Sequence, residues 1–426
     1  MSNNIKDWSV VLTGHDNFLK RSLTTYKDTL LEHSINFVPI DAGEVAFYIV
    51  DPTNTVRAVV YQDGNNAVDV KELISVVNSF RENTRLSVNP ICPNQHRIVG
   101  EYILGSPANV DPSLLDFIVY SFALINPDGT FTVYSTRHLQ ETVNLKKFNP
   151  NLKVIMAIGG WAAEGFSDAA FTAEARFKFA REAQKWVNEY DLDGIDLDWE
   201  YPGSSVAGIK SRPEDTQNFT LLLEALRMVL GNRAWISVAG IADSSYIRNV
   251  EIAKIAPFID YFNVMTYDFT AGNSGASALK HQSNLYTSEL SLNNISVDIY
   301  VQNLLKAGMP ASKILIGLGF YGRQGMSFTK TFDQIRRDYL NKNGYVVKFD
   351  NVAKAPYIVD PNGNFFLSFD NELSIYYKGQ FVIENCLGGL FSWQAAFDQA
   401  NILSSAMNLA VNNPTELESI LQSYYS

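Results

Sequence analysis

The chain has 426 residues, 46% of them hydrophobic and 19% charged, enough for one large globular domain and a smaller companion. Its net charge of −11 argues against a nucleic-acid backbone or an anionic membrane as the main partner. No long apolar run suits a membrane-spanning helix, and His15, His33, His96, His138 and His281 lack metal-ligand spacing, so neither a metal nor another cofactor is expected.

In chain order, the opening Met1-Ser2-Asn3-Asn4-Ile5-Lys6-Asp7 has neither the basic start nor the apolar stretch of a signal peptide. Residues 1–92 mix strand-like segments at 8–13, 45–50 and 56–62 with helical patterns at 17–32 and 69–80, which suggests a separate small α+β domain ending near Asn89-Pro90. From about residue 97 the pattern changes to strand, turn, helix, repeated. Strands are expected at 97–103, 117–124, 154–158, 194–199, 235–240, 261–265, 314–318 and 389–393, with helices at 171–190, 213–230, 297–307 and after Ala395. Eight strands alternating with helices predict an α/β fold, a closed (β/α)8 TIM barrel spanning 93–426. An open doubly wound sheet is disfavoured, because no Gly-rich phosphate loop follows the first strand. Residues 324–377 interrupt the alternation between the seventh and eighth strands; strand-like 345–349 and 365–369 flank the turn Asp360-Pro361-Asn362-Gly363. An insertion there lies on the face where barrel active sites are built.

The fourth of these strands carries the chemistry. In Asp193-Gly194-Ile195-Asp196-Leu197-Asp198-Trp199-Glu200, strand alternation turns Asp196, Asp198 and Glu200 to one face, roughly 7 Å apart, and Ile195, Leu197 and Trp199 to the other. Carboxyls so placed are costly to bury, and mutual repulsion raises at least one pKa towards neutrality, which makes a proton donor. An exposed acidic edge or a cation-binding loop is the alternative. Asp193 falls out of phase and is read as structural.

Extended by Tyr201-Pro202-Gly203, this run resembles the signature of family 18 glycoside hydrolases, the chitinases. Further motifs resemble that family in the same order: Ala157-Ile158-Gly159-Gly160-Trp161, Met265-Thr266-Tyr267-Asp268, Gly319-Phe320-Tyr321-Gly322-Arg323 and Gly388-Gly389-Leu390-Phe391-Ser392-Trp393. The insertion, with Ala355-Pro356-Tyr357 and Phe366-Leu367-Ser368, is similar to the family's own; residues 1–92 take no part. The resemblance implies retaining, substrate-assisted hydrolysis of β-1,4-linked N-acetylglucosamine chains, in which the sugar's acetamido group attacks its own anomeric carbon. It assigns Glu200 as general acid and base, Asp198 as the group orienting the acetamide, Asp196 as a proton-sharing partner beneath, and Tyr267 as donor to the acetamido oxygen. Trp393 is the expected floor under the sugar. Met265, Asp268, Trp161, Tyr201, Arg323 and Phe122 are expected substrate contacts, Arg323 alternatively an ion-pair partner.

Two departures carry expectations of their own. Glu101 follows Gly100 where the family has Tyr, and Ala157 stands where it has Ser; Glu101 is therefore expected to join the acidic cluster and raise its apparent pKa values. Phe269-Thr270-Ala271-Gly272-Asn273 lacks the family's Trp, which implies weaker or differently shaped leaving-group binding. Cys92 and Cys386 precede the first and eighth strands and are expected as free buried thiols, a disulfide being the alternative. Sequons at Asn218 and Asn294 matter only in a secreted chain.

Three other functions remain open on the sequence: an endo-β-N-acetylglucosaminidase, a chitin-binding subunit of a larger complex reached through 1–92, and a chitinase-like lectin, which the presence of Glu200 disfavours. The expected partners are chitin or chito-oligosaccharides and, through 1–92, a protein. Action is expected outside the cell, by non-classical export or within a complex, and otherwise in the cytoplasm.

Overall fold

The structure, a computed structural model, describes residue 92, residues 96–292, 295–326 and 328–425, and four strands nearer the N-terminus. The chain divides into two compact units, Met1–His96 with Ile383–Cys386, and Arg97–Val382 with Leu387–Ser426. In the first, β1 (Ser9–Gly14), β2 (Asn36–Asp41), β3 (Ala46–Val50) and β4 (Val56–Tyr61) form one sheet in the order β2-β1-β3-β4. The pair β1–β2 is parallel and the other pairs are antiparallel. Three of these strands fall where the sequence places them and β2 is additional; the helical patterns at 17–32 and 69–80 lie outside the described residues.

The expectation of free thiols is corrected in this unit. Cys92 and Cys386 form a disulfide with their Cα atoms 5.2 Å apart, inside the range such a bond needs.

The second unit is the barrel. Its eight parallel strands are β5 (Ile98–Leu104), β6 (Phe117–Ile125), β8 (Lys153–Gly159), β9 (Gly194–Asp198), β10 (Trp235–Gly240), β11 (Tyr261–Val264), β12 (Ile314–Gly319) and β18 (Gly389–Trp393). Each pairs with the next, β18 pairs with β5 and β5 with β6, so the sheet closes; β7 (Phe131–Val133) adds an antiparallel hairpin to β6.

Alternation along each strand sorts the side chains into two layers. Inside are Tyr102, Phe117, Val119, Ile155, Ala157, Ala239, Met265, Leu315 and Phe391. Outside, Ile195, Leu197, Val238 and Ile316 pack with helical residues such as Phe179, Phe219 and Leu223. The helices Ala173–Tyr190, Asp215–Leu230, Val297–Lys306, Ile402–Asn412 and Pro414–Tyr425 match the sequence expectation closely. The one expected from residue 171 breaks at Thr172, whose side chain caps the helix that begins after it.

The insertion is an antiparallel sheet of β13 (Tyr321–Gln324), β14 (Phe328–Thr331), β15 (Val346–Asp350), β16 (Ala355–Val359) and β17 (Phe365–Ser368), in the order β14-β13-β17-β16-β15. It begins at Tyr321, earlier than the expected 324, because β12 passes into β13 across Phe320 alone. The turn at Asp360 is as expected: its carboxylate accepts from the amides of Asn362 and Asn364, and Gly363 takes φ 84°.

Candidate active site

The acidic strand β9 lies between β8 and β10, with Asp196 level with Ala157 on one side and Ser237 on the other. Asp196, 0% exposed, accepts from Ser237 Oγ (2.5 Å), Tyr102 Oη (2.9 Å) and Asn263 Nδ2 (3.2 Å). Burial raises its carboxyl to about 6, and these three bonds oppose the rise. Asp198 lies one step nearer the mouth, buried, with Oδ1 unpartnered. Burial, then Glu200, then Asp196 push its pKa well above the usual carboxylate range. The charge of Asp196 is the third of these contributions to Asp198. Glu200 stands past the strand end, where burial raises it to about 7 against an opposing contribution from the Tyr201 hydroxyl. Trp199 turns outward between them, stacked on Phe166 at 5.3 Å. Asp193, at the strand's entry, accepts from Val154 N and pairs with Lys146 and Lys153, a structural role. The close approach of β8 to this strand needs glycine: Gly159 has φ 117°, and a Cβ there would overlap the Asp198 carbonyl.

Asp198 and Glu200 open into a cleft of about 1040 Å³ at the C-terminal ends of the strands, a size suited to a sugar-length ligand. All the other expected contacts line it as well: Met265, Tyr267 and Asp268 after β11, Trp393 closing β18, Phe122 on β6, Trp161 after β8, then Tyr201 and Arg323. The peptide bonds Ser121–Phe122, Glu200–Tyr201 and Trp393–Gln394 are cis. Trp393 stacks on Phe122 (5.6 Å, 22°) and leans on Tyr102 (6.1 Å), giving a broad apolar floor. Trp161 stands at the rim, 62% exposed, edge-on to Tyr201 at 6.4 Å. The Tyr267 hydroxyl is held in its protonated form by burial and by the nearby charges of Asp198, Asp268 and Glu200. Asp268 Oδ1 accepts from Tyr321 Oη (2.6 Å) and Arg323 Nε (2.5 Å), so Arg323 is an ion-pair partner as well as part of the wall.

The expectation for Glu101 is overturned. Gly100 and Tyr102 share the inward face of β5, so Glu101 points outward, where its carboxylate accepts from Ser404 Oγ at 2.5 Å and lies near Asp398. The hydroxyls expected at positions 101 and 157 are supplied by Tyr102 and Ser237 instead. These two and Asn263 are the site residues that sequence reasoning missed. A polar residue inside an otherwise apolar buried strand, as in Tyr261-Phe262-Asn263-Val264, was the available signal.

Burial raises Glu101 to about 7, so the folded protein binds a proton there that the unfolded chain releases nearer 4.5. Stability should then fall as pH rises from about 4.5 to 7. Glu101→Gln is expected to make that part of the Tm–pH curve less steep, the remaining slope belonging to Asp196 and Glu200, while leaving the pH–rate profile unchanged. A displaced rate profile would return Glu101 to the acidic cluster.

The model for "Glycosyl hydrolases family 18" matches residues 94–398. The chain belongs to family 18. Among curated relatives, Chitinase A1 of Niallia circulans is 34% identical over 307 residues, 63% of this chain but only 44% of that protein. Chitinase 1 of Aphanocladium album is 30% identical over 336 residues, 68% of this chain and 77% of the relative. Two solved structures agree. The chitinase domain of the spore coat protein CotE from Clostridium difficile is 53% identical, covers 80% of this chain and 99% of its own, and has a TM-score of 0.59. A family 18 N-acetylglucosaminidase from Paenibacillus barengoltzii is 32% identical, covers 74% and 100%, and has a TM-score of 0.67. The family 18 assignment thus rests on the barrel with its insertion, and residues 1–93 lie outside the match.

Proposed function

We propose that this protein is a chitinase, hydrolysing β-1,4-linked N-acetylglucosamine chains with retention through an oxazolinium-type intermediate. The observation that carries the reading is the pair Asp198 and Glu200 opening beside Tyr267 and over Trp393 in one cleft, with Asp196 buried beneath them. Glu200, raised to about 7, keeps a proton near neutrality and gives it to the glycosidic oxygen. The acetamido oxygen attacks C1, steadied by the Tyr267 hydroxyl. Asp198 accepts the acetamido N–H, and the positive charge that forms above it favours its ionised state. Water, deprotonated by Glu200, then opens the ring. Tyr102, Ser237 and Asn263 fix Asp196 and so the charge beneath Asp198.

The test is release of 4-nitrophenol from chitobiose and chitotriose glycosides, with products of chitohexaose followed in parallel. Turnover with retained anomeric configuration is expected. Binding of the oligosaccharides without turnover would convert the reading to a lectin.

The likeness to an N-acetylglucosaminidase favours a second reading, removal of single sugars from chain ends; chitohexaose yielding only the monosaccharide would select it. For location, the Cys92–Cys386 bridge supports an oxidising compartment, and the likeness to a spore coat protein's domain supports carriage within a surface assembly through residues 1–92. A chain lacking 1–92 that remains attached to that assembly would refute this.

A further inference from the structure

Behind the cleft wall lies a buried polar chain that the chemistry above does not use. Lys378, on the helix Glu372–Glu384, is fully buried, and its ammonium donates to Asp370 Oδ1 and to Ser283 Oγ, both at 2.7 Å. Ser283 Oγ donates in turn to the Thr266 carbonyl at 2.7 Å, and that carbonyl belongs to the peptide unit joining Thr266 to Tyr267. Thr266 is itself pinned to the next strand: its hydroxyl donates to Gly317 O at 2.7 Å and accepts from Gly317 N at 2.9 Å. On the far side of Tyr267, Phe269 N donates to Gln282 O at 3.1 Å.

Ser283 sits in a strap, His281 to Asn284, that is buried throughout. Its first two residues are tied to the insertion, His281 to Asp350 Oδ2 at 3.1 Å and Gln282 Nε2 to the Tyr321 carbonyl at 2.7 Å. Burying an ammonium so deeply is costly unless its charge is paired and its protons are used. Here the donors reach a serine whose own proton is spent on the backbone beside Tyr267.

We propose that Lys378 and Ser283 are positioning residues for the reaction: they fix the Thr266–Tyr267 peptide plane and thereby aim the Tyr267 hydroxyl at the substrate's acetamido oxygen. The proposal rests on the functional reading above, in which Tyr267 donates that bond. Hydroxyl donation of this kind depends steeply on placement, since a misplacement of about 1 Å can cost about 100-fold in rate. Lys378 therefore acts on the rate through two hydrogen bonds and one peptide unit while touching no substrate.

The experiment uses the full chain and 4-nitrophenyl chitobioside. Turnover by the unsubstituted protein comes first; its absence would overturn the functional reading and this proposal with it. With that turnover in hand, Ser283→Ala, which leaves the Lys378–Asp370 pair in place, is expected to lower kcat by about 10- to 100-fold with KM within twofold and Tm lower by a few degrees, since two buried hydrogen bonds are lost. Lys378→Met combined with Asp370→Leu removes both buried charges together and is expected to lower kcat in the same way. In a Tyr267→Phe background the Ser283→Ala effect should vanish, because the group being aimed is gone. A wild-type kcat in a folded Ser283→Ala protein, or a full loss persisting in the Tyr267→Phe background, overturns the positioning role alone.

Discussion

Glu200→Gln should lower kcat on chitotetraose by about 10³- to 10⁴-fold while leaving KM within a few-fold. The side chain stands past the end of β9 at the cleft mouth, so the amide keeps the shape of the wall and loses only the proton. Burial is what keeps that proton available at about pH 7. The sign of the pH dependence is then set: the free enzyme's acid must be protonated, so kcat/KM should fall as pH rises through about 7. The leaving group supplies an internal control. A sugar oxygen needs protonation and 4-nitrophenolate needs it far less, so the variant should lose less on the nitrophenyl glycoside than on chitotetraose. Equal losses on both substrates would assign Glu200 to ring opening alone, and an oligosaccharide rate within tenfold of the parent's would remove it from catalysis.

The second large effect concerns stability. The Cys92–Cys386 bridge spans 294 residues of sequence, and that loop contains seven of the eight barrel strands. Closing so long a loop restricts the unfolded chain, by up to about 5 kcal/mol in the chain-entropy picture. The variant with both Cys92→Ala and Cys386→Ala should therefore show a lower urea midpoint, and the parent protein should match it after reduction. Both cysteines precede their strands, whereas the cleft lies where the strands end, so kcat should be retained. An unchanged midpoint would show that the bridge adds nothing beyond the barrel's own closure.

The barrel was legible because its strands are apolar, short and regularly spaced, and the three acids stood out because period-2 alternation leaves them no apolar reason to be there. What misled at Glu101 was parity. One residue of shift on a strand moves a side chain to the opposite face, so matching Glu101 to the expected tyrosine put a carboxylate inside the barrel that in fact faces Ser404. Tyr102, the next residue, was the inward one. β16 was hidden by Pro356, which cannot donate to a ladder and so demotes a strand on sequence grounds, although β16 pairs on both sides. The Lys378–Ser283 bond joins residues 95 apart in sequence, and no local pattern announces such a contact. Nor did spacing reveal that the two cysteines were bonded; they meet because β18 and β5 become neighbours only when the sheet closes.

The acids of β9 sit on a strand bonded on both sides, β8 on one and β10 on the other, while Trp161, Tyr201 and Arg323 stand in the segments beyond the barrel strands. The two buried acids and the outer rim are therefore written in separable parts of the chain. Exchanging the segment after β8 for that of a relative should redirect which chains are accepted and how far along they are cut, with the bond-breaking step inherited intact. Such a scaffold can diversify its diet without relearning its reaction.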